Sequence, residues 1–220
     1  ASAGNLTSAV YRIFGKPFSE EGKKLFGVPF AQFLKLNSEF RYHYRIDKNQ
    51  MIASRIAGGV IWSYGNATTA PYTEQFYIGG ANSVRAFSAR SIGPGGYPPE
   101  TDRKYTYINH VGDIRIEANI EYRFRMIADL HGAVFLDAGN VWLMRKDENR
   151  PNGEFTLKNF PKQIALGTGF GLRYDLDFLV FRLDLGIGLH DPYDTGKSGY
   201  YNIPKFKDSM ALHFAIGYPF

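Results

Sequence analysis

Residues Asp113–Met126 separate into two faces when read with a period of two. Asp113, Arg115, Glu117, Asn119, Glu121, Arg123 and Arg125 fall on one side. Ile114, Ile116, Ala118, Ile120, Tyr122, Phe124 and Met126 fall on the other. On a helix these charges would spread around the whole circumference, whereas successive residues of a strand point to opposite faces. The segment is therefore predicted to be a strand with one charged and one apolar face. The pattern recurs over Phe33–Ile46, Gln50–Tyr64, Leu130–Met144, Ile164–Leu176, Leu179–Leu189 and Asp208–Phe220, and more weakly over Asn5–Phe14. Eight strands are expected, and no helix is required.

Several of these segments are longer than the five or six residues usual in soluble sheets. Crossing a bilayer takes about 9–11 tilted residues per strand. The connections sharpen the point. Gly15–Pro29, Gly65–Val111, Arg145–Pro161 and His190–Lys207 are long, and Asp47–Asn49, Ile127–Asp129 and Asp175–Phe178 are short, in strict alternation. Outer-membrane barrels have long outer loops and short periplasmic turns. The fold class expected is an all-β, antiparallel transmembrane barrel with eight strands in this chain, self-closed or half of a sixteen-strand barrel. An even strand number places both termini on the periplasmic side.

A charge on the lipid face of a barrel costs roughly 2–4 kcal/mol at the midplane. The charged face is therefore assigned to the lumen and the Leu/Ile/Phe face to lipid. Trp62, Tyr64, Trp142, Tyr174 and Tyr218 are expected in the interfacial girdles. A soluble sandwich or lipocalin-like barrel would bury the apolar face instead. Strand length, loop asymmetry and an aromatic content of 16% weigh against it. The chain has no cysteine, which excludes disulfides and thiolate metal sites. Its net charge of +5 is dispersed along the strands rather than massed in a block, so no nucleic-acid footprint is expected. No leader-like segment opens the chain, so any export signal is expected to have been removed.

One connection stands apart. Phe76–Gly96, FYIGGANSVRAFSARSIGPGG, is too low in charge and too rich in Phe, Tyr and Ile to read as disordered. Within it, GGANSVRAF (Gly79–Phe87) resembles the VRG(F/Y) loop motif of the BamA/TamA superfamily of outer-membrane assembly barrels, of the bacterial surface antigen type. IEYRF (Ile120–Phe124) looks like the strand that follows that loop in the family. FLDAGNVW (Phe135–Trp142) is similar to the next strand's F-x-D-x-G element, here Phe135, Asp137 and Gly139. LGTGFGLRYD (Leu166–Asp175) and VFRLDLGIGL (Val180–Leu189) resemble the two strands after it. At the end of the chain, His213, Ala215, Tyr218 and Phe220 fit the terminal pattern that outer-membrane proteins present to the assembly machinery, although a plain amphipathic strand also accounts for them.

Two departures stand out. The motif's glycine is Ala86, which calls into question any backbone conformation needing positive φ there. Family barrels have sixteen strands and usually periplasmic POTRA domains in front. This chain is read as a single barrel domain over residues 1–220, the C-terminal half of such a barrel, with no POTRA domain in it.

The resemblance implies that the loop folds back into the lumen. It also implies that Arg85, within Val84, Arg85, Ala86 and Phe87, pairs with Glu121 and Asp137 as a lock. A planar guanidinium suits the task because it can bridge two carboxylates at once. On the residues alone, Arg85 reads as a solvated loop residue and the carboxylates as ordinary lumen lining. An eight-stranded barrel has an interior only wide enough for side chains, so the loop poses a geometric conflict. Two chains join into a wider barrel, or eight strands close alone with the loop outside, or the chain is the C-terminal part of a longer one.

The function implied is assistance in inserting or translocating other proteins at the bacterial outer membrane. The alternative is a short family member acting as a passive pore or structural barrel. The partners implied are outer-membrane lipid, nascent outer-membrane proteins and a second copy of the chain. No cofactor, metal or catalytic residue is expected. His190, Asp191 and Ser198 share one loop, but no G-x-S-x-G element supports a hydrolase.

Overall fold

The alternation carries directly into a ladder of strands in the computed structural model, which describes residues 24–25, 28–29, 31–65, 67–98, 110–176 and 178–220. Strands β1 (Lys24–Leu25) and β2 (Val28–Pro29) pair as a minimal hairpin. The main sheet follows, with β3 (Gln32–Arg45), β4 (Gln50–Tyr64), β5 (Ile114–Ile127), β6 (Leu130–Trp142), β7 (Ala165–Asp175), β8 (Val180–His190) and β9 (Met210–Ile216). Its order is β3-β4-β5-β6-β7-β8-β9, every neighbour antiparallel and consecutive in sequence. The expected strand Asn5–Phe14 lies outside the described residues.

All the tight turns lie at one end of the sheet. Between β3 and β4, Asp47 Oδ1 accepts the Asn49 N–H at 2.7 Å, and the Ile46 N–H donates to Gln50 O at 3.0 Å. Between β5 and β6, Ala128 adopts a positive φ of 45° after a bulge at Arg125/Ile127. Between β7 and β8, the Leu176 N–H donates to Leu179 O at 2.9 Å. The long connections gather at the other end.

Burial separates the two faces, with the charged one inside. On β5, Glu121 is 0% exposed and the adjacent Ile120 is 47% exposed. Leu34, Leu36, Phe40, Ile56, Val134, Leu136, Phe170, Leu183, Leu212 and Phe214 are likewise exposed, while Glu117, Asp137, Arg173, Arg182 and Asp184 are buried. A soluble sheet would do the reverse, since large contiguous exposed apolar patches are rare on soluble monomers. This apolar wall is what a lipid-facing barrel strand presents.

What fills the polar face is the β4–β5 connection, which packs against the sheet. Ile78, Val84 and Ile92 from the loop join Phe33, Ile61, Val141 and Ala165 from the strands in one apolar cluster. The alternative in which the loop stays outside is not the one observed. Among the described residues the sheet is open, with no strand paired to the outer edge of β3 or of β9.

Two expectations need correction. The last strand ends at Ile216 rather than Phe220, because Gly217 turns the chain at φ 84° and Pro219 has no N–H to give the ladder. Trp142 does not sit in an aromatic girdle. It is wholly buried, its Nε1–H donates to Gln163 Oε1 at 2.9 Å, and its ring packs edge-on against Phe155. Trp62, Tyr64 and Tyr174 are exposed, whereas Tyr218, though itself exposed, turns beyond Gly217 onto Arg123 of the polar face and also departs from the girdle expectation.

Candidate functional site

Arg85 is carried into the polar face by the loop and meets carboxylates from two strands. Its Nε–H donates to Asp137 Oδ2 at 2.8 Å and its Nη2–H to Asp137 Oδ1 at 2.9 Å, a two-pronged contact. Its own backbone N–H adds a third bond to Asp137 Oδ2 at 3.0 Å. Nη1 donates to Glu121. The guanidinium lies 3.5 Å over the Phe135 ring, so the F-x-D-x-G strand supplies both an aromatic floor and a carboxylate wall. The structure therefore brings Arg85, Glu121, Asp137 and Phe135 together. Gly139 lies two residues further along β6, where a side chain would crowd the β5 backbone at Ile116 and Glu117.

Close approach of the loop to the sheet depends on missing side chains. A Cβ at Gly186 would collide with the Arg85 carbonyl oxygen, and one at Gly167 with the Ala86 methyl. Ala86 thus occupies space that β7 leaves free. It is not among the non-glycine residues with positive φ, which are Arg90, Ala128 and Asn152 among the described residues. The alanine in place of the motif's glycine therefore brings no backbone strain. Val84 is fully buried in the apolar cluster, and Phe87 packs against it.

The arginine is one node of a wider network. Glu121 also accepts from Arg123 Nε at 2.7 Å and from Arg173 Nη2 at 3.0 Å. Arg173 Nη1 donates to Asp184 Oδ1 at 2.6 Å, and Arg182 Nη1 lies 3.5 Å from Asp184 Oδ2. Asn119 donates to Asp137 Oδ1 at 2.8 Å and to the Ser83 carbonyl at 3.0 Å, and it accepts from Arg55 Nε at 3.0 Å. Arg55 also pairs with Glu117. Removing two charges from water is expensive, so such a network fixes geometry more than it adds net stability. Arg55, Asn119, Arg173, Arg182 and Asp184 were not singled out from sequence. Their faces were legible, but which of them share a row depends on register, for example Arg173 opposite Arg182 and Gly171 opposite Asp184.

The end of the chain enters the same site. His213 and Ala215 are half-buried on the polar side of β9, with His213 Nε2 2.9 Å from the Arg85 carbonyl oxygen. Beyond Gly217, Tyr218 stacks on Arg123 at 4.5 Å and Phe220 is buried. The Phe220 ring is 5.3 Å from Arg55, 5.7 Å from Arg123 and 5.9 Å from Arg85, and its carbonyl oxygen accepts from Arg123 Nη2 at 3.2 Å.

In the outer loops, both ring nitrogens of His190 face main-chain carbonyls, Tyr200 O at 2.7 Å and Lys162 O at 3.0 Å. Its ring stacks on Tyr200 at 4.7 Å. That imidazole ties two loops together and turns no nitrogen toward Ser198. Burial pushes the neighbouring Asp191 carboxyl up, against the opposing pull of the His190 charge. Burial and then the Asp191 charge push Tyr193 up to about 12. Among the described residues, no three His, Asp or Glu side chains converge to hold a metal ion.

Comparison with known proteins places this architecture. The chain is 28% identical over 204 residues to the outer membrane protein assembly factor BamA of Nitratidesulfovibrio vulgaris, covering 90% of this chain and 22% of that protein. It is 29% identical over 89 residues to BamA of Neisseria meningitidis serogroup B, covering 38% of this chain and 11% of that protein. The chain thus spans about a fifth or less of the length of these curated relatives. In fold it matches the crystal structure of BamA from Haemophilus ducreyi lacking POTRA domains 1-3, with a TM-score of 0.58 and 16% identity over 84% of this chain and 35% of that one. The Omp85 superfamily domain matches residues 24–220, and the chain belongs to the Omp85 superfamily.

Proposed function

We propose that this chain forms part of an outer-membrane barrel that helps insert or translocate other proteins, with the Arg85 loop as a fixed internal brace. The observation that carries the reading is the Arg85 guanidinium held between Asp137 and Glu121 against the polar face of β5 and β6. A brace there keeps β5–β8 rigid while the outer edge of β9 pairs with no described strand. A rigid wall beside a weakly closed seam lets a barrel open sideways without unfolding. Pro219 and the turn at Gly217 suit such a seam, because they stop the ladder early.

In this reading both termini are periplasmic, and residues 1–220 are a single barrel domain. His213, Ala215, Tyr218 and Phe220 act as the terminal assembly signal. The partners are outer-membrane lipid and nascent outer-membrane proteins, with a second copy or further strands completing the wall.

The test is folding of an outer-membrane substrate in liposomes carrying the full-length protein, read by protease resistance. Wild type accelerates folding over empty liposomes, and cysteine bridges tying β9 to its closing strand abolish the gain. Unchanged activity after bridging would rule out lateral opening. Ion conductance in planar bilayers with no acceleration of folding would instead support the passive barrel.

A further inference from the structure

The polar face carries more positive charge than its carboxylates can neutralise, and the excess lies at the tight-turn end. In register, Arg125 of β5 is opposite His131 of β6, His131 is opposite Arg173 of β7, and Arg173 is opposite Arg182 of β8. Arg173 and Arg182 are like charges directly opposite one another and repel, so this row calls for a counter-charge. Of the polar-face acids at this end, Asp175 has an interaction of its own, and Glu121 and Asp184 are already shared. Glu121 serves Arg85, Arg123 and Arg173, and Asp184 serves Arg173 and Arg182.

Donors remain unused in this row. Arg173 Nε, Arg182 Nε and Arg182 Nη1 are buried without a hydrogen-bond partner, as are the ring nitrogen His131 Nδ1 and, on the acid side, Asp184 Oδ2, and the Arg173 side chain is only 1% exposed. Leaving a buried charged donor unpaired is costly. Arg173 and His131 line a cavity of about 140 Å³ beneath the β3–β4 turn, together with Arg45, Lys48 and Arg123. Asp47 is the one carboxylate in the lining, against the cations Arg45, Lys48, Arg123 and Arg173, and its Oδ1 accepts the Asn49 N–H at 2.7 Å. With a water needing roughly 10–15 Å³ on this measure, the space suits a group of several heavy atoms.

We propose that this cavity is an oxyanion site that takes a phosphate group, from a phospholipid headgroup or as free phosphate. Arginine and lysine in a partly enclosed site are matched to phosphate, arginine by its planar fork and lysine as a point charge. The placement brings both sources within reach. Arg123 and Arg173 lie on the polar face, while Phe124, also in the lining, belongs to the apolar face and stacks on Tyr122 at 5.6 Å. The cavity therefore opens at the rim, where a lipid-facing wall meets headgroups. A bound phosphate would offer acceptors to Arg173, which lines the cavity with an unused donor, and negative charge to the row. The proposal is independent of insertion activity.

Arg45 and Lys48 are exposed, so replacing them leaves the buried network intact. The experiment is calorimetric titration of the detergent-solubilised full-length protein at constant ionic strength in chloride. The probes are inorganic phosphate, short-chain phosphatidylglycerol below its micelle concentration, and the matching diacylglycerol. Wild type binds phosphate or the phospholipid saturably and ignores the diacylglycerol. The Arg45→Gln/Lys48→Gln variant, shown to be folded by its heat-modifiable migration, binds about tenfold more weakly, as expected for losing charge-assisted contacts. Binding of the phospholipid alone assigns the site to a headgroup, and binding of phosphate alone assigns it to the free ion. Absence of saturable binding by both, or equal affinity in the variant, would overturn the proposal.

Discussion

Strand β3 and strands β5–β8 share one sheet and one alternating pattern, yet their polar faces have opposite fates. From Leu36 to Arg45, every residue of β3 is exposed, including Asn37, Glu39, Arg41 and His43 on the polar side. On β5–β8, the corresponding face is covered by the loop, with Glu121, Asp137, Arg173 and Asp184 fully buried. The sequence pattern does not distinguish them. The difference comes from the loop's reach, which follows the space left by glycines on β7 and β8. A charged face is thus neutral information until something lies against it, and the energetics of the same residue types change with that cover.

Removing the brace should have the largest effect. Arg85→Ala leaves Asp137 and Glu121 buried without their main partner. It is expected to cost about 3–5 kcal/mol in urea unfolding from detergent micelles. Arg85→Lys should recover only part of this, since an ammonium cannot reproduce the two-pronged contact. Next comes the fit of loop to sheet. Gly186→Ala places a methyl against the Arg85 carbonyl and should destabilise by about 1–3 kcal/mol in the same assay. The smallest effect belongs to β3. Arg41 pairs with Glu39 on the uncovered face, so Arg41→Ala should change stability by no more than about 1 kcal/mol. A large loss at Arg41, or none at Arg85, would erase the contrast between the two regions.

Much of this was legible in the sequence because a strand's period of two survives any tertiary context. β4 runs from Gln50 to Tyr64 as the alternation predicts, and the charged faces could be assigned from the cost of charge in lipid. The partners of Arg85 came from the resemblance, since spacing alone gave only the faces of Glu121 and Asp137. Elsewhere the pattern ran out for physical reasons. At the loop end of β6, Asn140 donates to the Gly95 and Gln163 carbonyls while Trp142 is packed under Phe155 and Phe160. Loops cover the strand there, so alternation no longer reports exposure. The inward turn of Tyr218–Phe220 was missed because a single glycine at positive φ outweighs the strand pattern around it.

The Arg85–Ala86 segment of the loop lies on β7 and β8 rather than over the exposed stretch of β3 beyond Leu36, and a chain without cysteine allows a direct test. Ala86→Cys combined with Gly167→Cys sets two side chains directly against each other: a β-carbon at Gly167 would meet that of Ala86 closer than the roughly 3.5–4.5 Å a disulfide spans, so the loop has only to ease outward for the bridge to form. Ala86→Cys combined with Asn37→Cys is the matched pair on the uncovered side. Under mild oxidation, the first pair should cross-link within one chain and the second should not, as read by mobility on non-reducing gels. Cross-linking of the Asn37 pair in place of the Gly167 pair would put the Arg85 segment over β3 instead of β7.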